Sequence, residues 1–363
     1  MKTVHINAGN EFGGGLVHIV SLLCALEEKG QSVELIVLED GPVAQAARQR
    51  GLKVIVFEQK SRYDLRVLTR LLDYVNSQDF DIIHTHGPRA NLFIRLLRPF
   101  IKSKWVTTIH SNPLLDFEKN NLKGKVFEKI NTTCLTGANG VIAVSKEIKD
   151  IIIDLGVQTD RITVINNGID FSAPKPIDSS DRSTDVFSII TIGRLHPIKN
   201  HDLLFDALSD MKEFECQVHI CGEGEEYERL KVRAEKHEGL AKFYFNGWLG
   251  SDELKTLIRR SDLLVHTSRS ESFPLVLLEA AEQEVAVIST NVGDVDKLLN
   301  TPDIGWLIKN ESREELKSAL ISAQKEWKQG SLQIKGRQLK KAALKFSLSE
   351  QSNQVLAFYN SVN

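Results

Sequence analysis

The chain reads as an α/β protein made of two doubly wound parallel-sheet domains, and three observations carry that reading. Short β-branched runs alternate with longer stretches of helical periodicity from the first residues onward, which is how strands joined by crossover helices are written. With 363 residues the chain exceeds what one hydrophobic core organises. Residues 171–185, FSAPKPIDSSDRSTD, are polar and hold two prolines, so they read as a linker between two halves of the same design.

In the first domain, residues 1–170, the strand candidates are Thr3–Ala8, Val33–Leu38, Lys53–Phe57, Asp81–His86, Trp105–His110, Gly140–Val144 and Ile162–Ile165. In the second, residues 186–345, they are Val186–Gly193, Cys216–Cys221, Lys242–Asn246, Leu263–His266, Val285–Ser289 and Gly305–Ile308. Helical periodicity fills the gaps, and residues 346–363 read as a C-terminal helix crossing back to the first domain. Two such units place a cleft between them, with the carboxyl ends of both sheets facing it. Motifs at strand ends are therefore the candidates for function.

Composition narrows the class. The chain is 42% hydrophobic and 26% charged, ordinary for a globular protein. Formal charge is −2, divided as +2 over residues 1–172 and −4 over the rest, so no general nucleic-acid binder is encoded. The four cysteines form no CxxC pair; Cys24, Cys216 and Cys221 sit in apolar surroundings that suit free thiols in a reducing cytoplasm. No signal-like start and no run of 18 apolar residues is present, so export and membrane spanning are not expected.

Several strand ends carry chemistry. Gly13, Gly14 and Gly15 follow the first strand and open a helix near Leu16, where free amides suit a phosphate or a close turn; the spacing is not G-x-G-x-x-G. After the first strand of the second domain, Gly193-Arg194-Leu195-His196-Pro197-Ile198-Lys199-Asn200 sets two cations in a loop that starts a helix, a grip for a diphosphate or a solvated face. After strand Leu263–His266 come Glu271 and Glu279, with seven residues between them. A helix starting at Phe273 or Pro274, with proline in its first turn, holds Glu279 inward two turns along while Glu271 stays in the loop. Carboxylates accept charge-assisted bonds from hydroxyls in fixed directions, which suits sugar and ribose; capping and surface charge are the plainer alternatives.

Together these segments resemble the retaining GT-B glycosyltransferases, in particular glycosyltransferase family 4 with its E-x7-E motif. The resemblance runs in order along nearly the whole chain: GGGLVHIVSLL with His18, DIIHTH at 81–86, VIAVSK at 141–146, NNGID at 166–170, the Arg194–Lys199 loop, GEGE at 222–225, NGW at 246–248, and Phe346-Ser347. It implies a GT-B fold, with residues 1–170 on the acceptor side and residues 186–345 binding a nucleotide-sugar donor. Arg194 and Lys199 then bind the donor diphosphate, Glu279 the ribose, and Glu271 with the Ser272, Phe273, Pro274 and Leu275 backbone the transferred sugar. Gly13, Gly14, Gly15, Gly222 and Leu249 also approach the donor, and His110 lies near the transferred sugar and the acceptor.

Further expectations follow from the resemblance. The enzyme retains anomeric configuration, uses a UDP sugar first and a GDP sugar second, and needs neither metal nor cofactor. Its acceptor is a saccharide or lipid-linked saccharide, as in surface polysaccharide or glycolipid synthesis. The rivals are a non-catalytic sugar-nucleotide-binding partner of another transferase, and an epimerase or phosphorylase of the same fold. Ser272 and Pro274 replace residues that are often glycine in the family, and Pro274 has no amide hydrogen to donate. Gly293-Asp294-Val295-Asp296-Lys297 replaces a Gly-Gly-x-x-Glu pattern.

Three residual features remain. His84 and His86 share a strand face and, with His110, form a possible metal trio, for which strand packing is the simpler account. The triplets Asp79–Asp81 and Asp294–Asp296 resemble the metal site of another transferase class, although turn formation explains Asp79. Residues 89–104 mix Arg and Lys with Leu, Phe and Ile, matching either peripheral contact with an anionic membrane on its cytoplasmic face or a core helix with a solvated side.

Overall fold

A parallel strand pair cannot be closed by a tight turn, so each strand needs a return segment that crosses the sheet. In the computed structural model, which describes residues 1–59, 64, 66–114, 122–171, 186–309 and 311–362, every β-rich run named above becomes a strand. Apart from Phe171, the linker read at 171–185 lies outside the described residues. Chain contacts define two units, the first made of Met1–Gly168 with Leu348–Asn363 and the second of Ile169–Ser347.

The first unit runs β1 (Lys2–Asn7), α1 (Gly13–Glu28), β2 (Ser32–Val37), α2 (Pro42–Gln49), β3 (Val54–Val56), α3 (Arg66–Gln78), β4 (Ile82–His86), α4 (Pro88–Leu97), β5 (Lys104–Ile109), α5 (Leu122–Leu135), β6 (Gly140–Ala143), α6 (Lys146–Asp154) and β7 (Ile162–Val164). The second continues with β8 (Ser188–Ile192), α7 (His201–Asp210), β9 (Cys216–Cys221), α8 (Tyr227–Glu235), β10 (Ala241–Gly247), α9 (Ser251–Arg260), β11 (Leu263–His266), α10 (Leu275–Glu282), β12 (Ala286–Thr290), α11 (Val295–Leu298), β13 (Trp306–Ile308), α12 (Arg313–Lys328) and α13 (Leu332–Ala343). The last helix, α14 (Leu348–Val362), belongs to the first unit.

Strand order is β3-β2-β1-β4-β5-β6-β7 in one sheet and β10-β9-β8-β11-β12-β13 in the other, and all pairings are parallel. In each sheet the winding reverses at one place, between β1 and β4 and between β8 and β11, where the loops at the carboxyl ends diverge and leave room for a ligand.

Both faces of the sheets are covered, which is why their strands are apolar on both sides. Along β1, Val4 and Ile6 join a layer with Ile83, Phe93 and Trp105. His5, between them, turns to the other face, where its ring nitrogen meets the Tyr359 hydroxyl of α14 at 3.3 Å. There Val355 and Tyr359 pack with Ile19, Leu22, Leu23 and Val106. The Gln351 side chain accepts from Gly168 N at 3.1 Å and donates to His18 at 3.2 Å, so α14 is bound by polar as well as apolar contacts.

Tyr359→Ala is expected to cost roughly 3–5 kcal/mol, as for other buried aromatics. Hydrogen exchange should then show lost protection in β1, β4 and α1 alone; equal loss in the second unit would contradict the assignment of α14.

Candidate functional site

At the winding reversal of the second sheet, two loops are laced together. Thr267 Oγ1 donates to Lys199 O at 3.1 Å, and Arg269 N donates to Ile198 O at 2.8 Å. Lys199 closes a short 3-10 turn, Pro197–Lys199, in which His196 Nδ1 accepts from Ile198 N at 3.1 Å. Across the loops the Lys199 ammonium pairs with Glu271 Oε1. The same oxygen accepts from Ser268 Oγ at 2.7 Å and lies 3.3 Å from His266 Nε2, whose Nδ1 is 3.0 Å from Ser289 Oγ. Burial pushes the Glu271 carboxyl upward, but His266 and Lys199 outweigh it and hold the group at about 2. Glu271 is thus an anchored carboxylate, and among the described residues its Oε2 has no hydrogen-bond partner.

Glycines set the spacing around this pair. Gly222 has φ +135°, and a Cβ there would lie 2.0 Å from Gly193 O, so only glycine lets the strand ends of β8 and β9 approach. Leu195 N donates to Glu223 O at 2.9 Å and fixes the backbone beside Arg194, whose side chain is exposed. Gly293, at φ +57°, presses on the Glu271–Ser272 backbone, where a Cβ would meet Ser272 O at 2.2 Å.

The helix after Glu271 starts later than its sequence suggests. Pro274, with extended backbone, is the residue before α10, which begins at Leu275; Glu279 therefore stands just past one turn, not two. The restricted φ of proline fits either place, and the extended ψ of 111° at Pro274 decides it. Phe273 and Leu275 are buried in the core, Phe273 with its ring centre 4.8 Å from that of Phe346. Leu249 is half-buried at the edge of the same core. Burial pushes the Glu279 carboxyl up to about 7, opposed by Lys255 and reinforced by Glu282.

In the first unit the glycines stand inside the helix rather than ahead of it. α1 begins at Gly13, with φ +61°, and Gly14 and Gly15 complete its first turn, whose amides lack intrahelical acceptors. The Glu11 carboxylate, which accepts from Asn7 Nδ2 at 2.8 Å, reaches to within 2.6 Å of the Cβ position of Gly15. A carboxylate thus stands close to this helix end.

His110 follows β5 and is half-buried, its Nε2 3.1 Å from His86 Nδ1. His84 and His86 do share a face, but the sequence trio is incomplete: His5 and His18 join it. Nitrogens of His5, His84 and His86, and of His18, His86 and His110, lie within 4.8 Å of one another. Burial lowers all five pKa values, His5 to about 3 and His18 to about 4, so these rings are neutral near pH 7. Hydrogen bonds among them account for the packing, and His18 Nε2 is a buried nitrogen without one.

Other expectations are revised. In residues 89–104, Phe93, Ile94, Leu97 and Ile101 are core, and the exposed apolar groups are Leu96 and Phe100. Cys24 is only half-buried, whereas Cys134 joins Cys216 and Cys221 inside. Asp79 sits at φ +53° in a turn, and Asp294 pairs with Lys297 at 2.7 Å. Sequence reading missed His266, Ser268, Gly293 and Glu11; the position of His266 at the end of β11, five residues before Glu271, was the one available signal.

Comparison with known proteins agrees with this architecture. The family Glycosyltransferase Family 4 matches residues 12–173, and Glycosyl transferases group 1 matches residues 175–345. The GPI3 subunit of phosphatidylinositol N-acetylglucosaminyltransferase from Saccharomyces cerevisiae is 27% identical over 61% of this chain and 50% of its own length, so the chain spans about half of that relative. The Escherichia coli UDP-Gal:alpha-D-GlcNAc-diphosphoundecaprenol alpha-1,3-galactosyltransferase is 25% identical over 71% of this chain and 70% of its own. The crystal structure of Anabaena HepE in complex with UDP superposes with a TM-score of 0.84 at 19% identity, covering 99% of this chain and 100% of that one; it shows the fold.

Glu279 yields a stability test. Its folded pKa lies above the ordinary 4.5, so the folded state holds the proton more tightly, and stability falls as pH rises from about 4.5 to about 7. Glu279→Gln should stabilise the ligand-free protein at pH 8 by an amount on the order of 1–3 kcal/mol, with the gain vanishing toward pH 4.5. A pH-independent difference in melting temperature would refute the raised pKa.

Proposed function

We propose a reaction for a chain that belongs to glycosyltransferase family 4 and whose C-terminal half is a glycosyl transferases group 1 domain: it moves a hexose or N-acetylhexosamine from a nucleoside-diphosphate sugar to a saccharide or lipid-linked saccharide. UDP is the favoured nucleotide and GDP the second. The observation that carries this reading is the Lys199–Glu271 pair at the winding reversal of the second sheet, where a cation and an anchored carboxylate stand together. The UDP-sugar and lipid-diphosphate named for the Escherichia coli relative, and the UDP in the Anabaena structure, support the choice of substrates.

The chemistry follows from charge. As the sugar–phosphate bond breaks, negative charge grows on the departing diphosphate, and fixed cations stabilise it without reorganisation. Arg194 and Lys199 serve this purpose, so no divalent metal is required. Glu271, held through Oε1, offers Oε2 to sugar hydroxyls, while Glu279 accepts from the ribose diol. His110, a neutral ring, bonds to the sugar or the acceptor without adding charge. Configuration at the anomeric carbon is retained.

A membrane-borne acceptor fits the first unit. Leu96 is 48% and Phe100 64% exposed, beside exposed Arg95 and Lys102, and α5, packed on α4, adds exposed Val126 and Phe127. Apolar groups ringed by cations suit peripheral contact with an anionic cytoplasmic leaflet. No helix among the described residues is long and apolar enough to cross a membrane.

Lys199→Ala and Glu271→Ala should each lower kcat/KM for the donor by about 10²–10³, assayed at a temperature where both variants remain folded. Wild-type kinetics in both, or turnover abolished by chelator, would overturn the mechanism, and a product of inverted configuration by NMR would overturn retention. Separately, the wild-type protein should pellet with anionic vesicles at low salt, and the double variant Leu96→Asp, Phe100→Asp should not; equal pelleting removes the membrane face.

A further inference from the structure

Three hydrogen-bond donors converge on one oxygen in the second unit. Glu271 Oε1 pairs with the Lys199 ammonium, accepts from Ser268 Oγ at 2.7 Å and lies 3.3 Å from His266 Nε2. A carboxylate oxygen has two lone pairs, so three donors exceed what it holds well and one of them is supernumerary. Exposure identifies that one. Ser268 is 1% exposed and the His266 side chain 3%, whereas the Lys199 side chain is 26% exposed and ends a flexible four-carbon stem. The Lys199 backbone is fixed through its carbonyl, which accepts from Thr267 Oγ1, so the side chain is the part left to move.

The contact from His266 is a bond only if Nε2 carries a hydrogen, and the far side of the ring decides that. Nδ1 is 3.0 Å from Ser289 Oγ, which also lies 3.0 Å from Thr290 O. If the Ser289 hydrogen points to Nδ1, the ring accepts there and its one proton is on Nε2. If it points to Thr290 O, Nδ1 donates to Ser289, and a bare Nε2 would set its lone pair against a carboxylate oxygen; the ring then carries hydrogens on both nitrogens. Nε2–H faces Glu271 in either case. The Ser289 hydroxyl turns from one acceptor to the other without moving a heavy atom, so the bond to Glu271 is kept whether the ring is neutral or cationic.

We propose that His266 is the positioning residue for Glu271 and that Lys199 is the exchangeable donor. His266 and Ser268 fill the two lone pairs of Oε1 and fix the carboxylate, and with it Oε2, after the ammonium has turned to a diphosphate. A carboxylate held by the lysine alone would be released at the moment the donor arrives. Held by buried neighbours from β11 and the loop after it, Glu271 meets sugar hydroxyls in a set direction. The part played by the diphosphate rests on the glycosyl-transfer reading; the hydrogen on Nε2 does not.

Long-range proton–nitrogen correlation spectra of the full chain, labelled with ¹⁵N-histidine at pH 7, read the ring without any nucleotide, and the signal lost in His266→Gln identifies it. A hydrogen on Nε2 supports the proposal, and a ring protonated on Nδ1 alone overturns it. A hydrogen bond to a charged group is worth a factor of about ten to one hundred, so His266→Leu should lower kcat by that factor, while affinity for UDP alone stays within about threefold. Turnover is measured as UDP released from UDP-glucose or UDP-N-acetylglucosamine. His266→Gln, whose amide N–H reaches the place of Nε2, should recover most of the lost kcat. Equal losses in the Gln and Leu variants at unchanged melting, or UDP affinity falling in step with kcat, would show a structural role alone and overturn the proposal. Lys199→Ala should give the opposite split, with UDP affinity lost. A wild-type protein that releases UDP from neither sugar counts against the transfer reading, while the ring signal still decides the hydrogen bond.

Discussion

A polar group taken out of water must find a partner inside the protein, and this constraint governs both candidate regions. Four strands end in polar residues, Asn7, His86, His266 and Thr290, and all four are buried. Some partners are remote in the chain: Tyr359 bonds His84 from 275 residues away, and Lys199 pairs with Glu271 from 72 residues away. Polar satisfaction therefore determines which helices must return to which sheet. The C-terminal helix is bound to the first unit by this demand as much as by its apolar face.

Within the second unit the same principle builds a prepared site. The loops after β8 and β11 bond each other through backbone groups, and two glycines bring their neighbours to distances no side chain would allow. Lys199 and Glu271 neutralise each other across the gap. On the proposed function, a diphosphate would compete for the ammonium and free part of the carboxylate for hydroxyl groups. One ionic contact would then be exchanged for another, at little added desolvation cost.

Much of this was legible in the chain itself. Every strand could be placed because parallel strands covered on both faces are written as compact β-branched runs, as in Ser188–Ile192 or Ala286–Thr290. Lys199 and Glu271 stood out because each lies in a loop at a strand end. The supports did not: His266 looks like one more strand residue until its side chain is seen on Glu271, and nothing near Tyr359 announces the histidines of β1 and β4. Helix starts were misjudged at Gly13 and Pro274 because both residues fit two adjacent positions equally well.

The return of α14 also orders the life of the chain before it is finished. During synthesis the whole second unit, Ile169–Ser347, leaves the ribosome before the helix that completes the first one. The nascent first unit must wait with its histidine face uncovered while its younger neighbour is already free to fold. A protein begun at its amino end is thus closed last at that same end, and a holding factor acting on the emerging chain would find its target there.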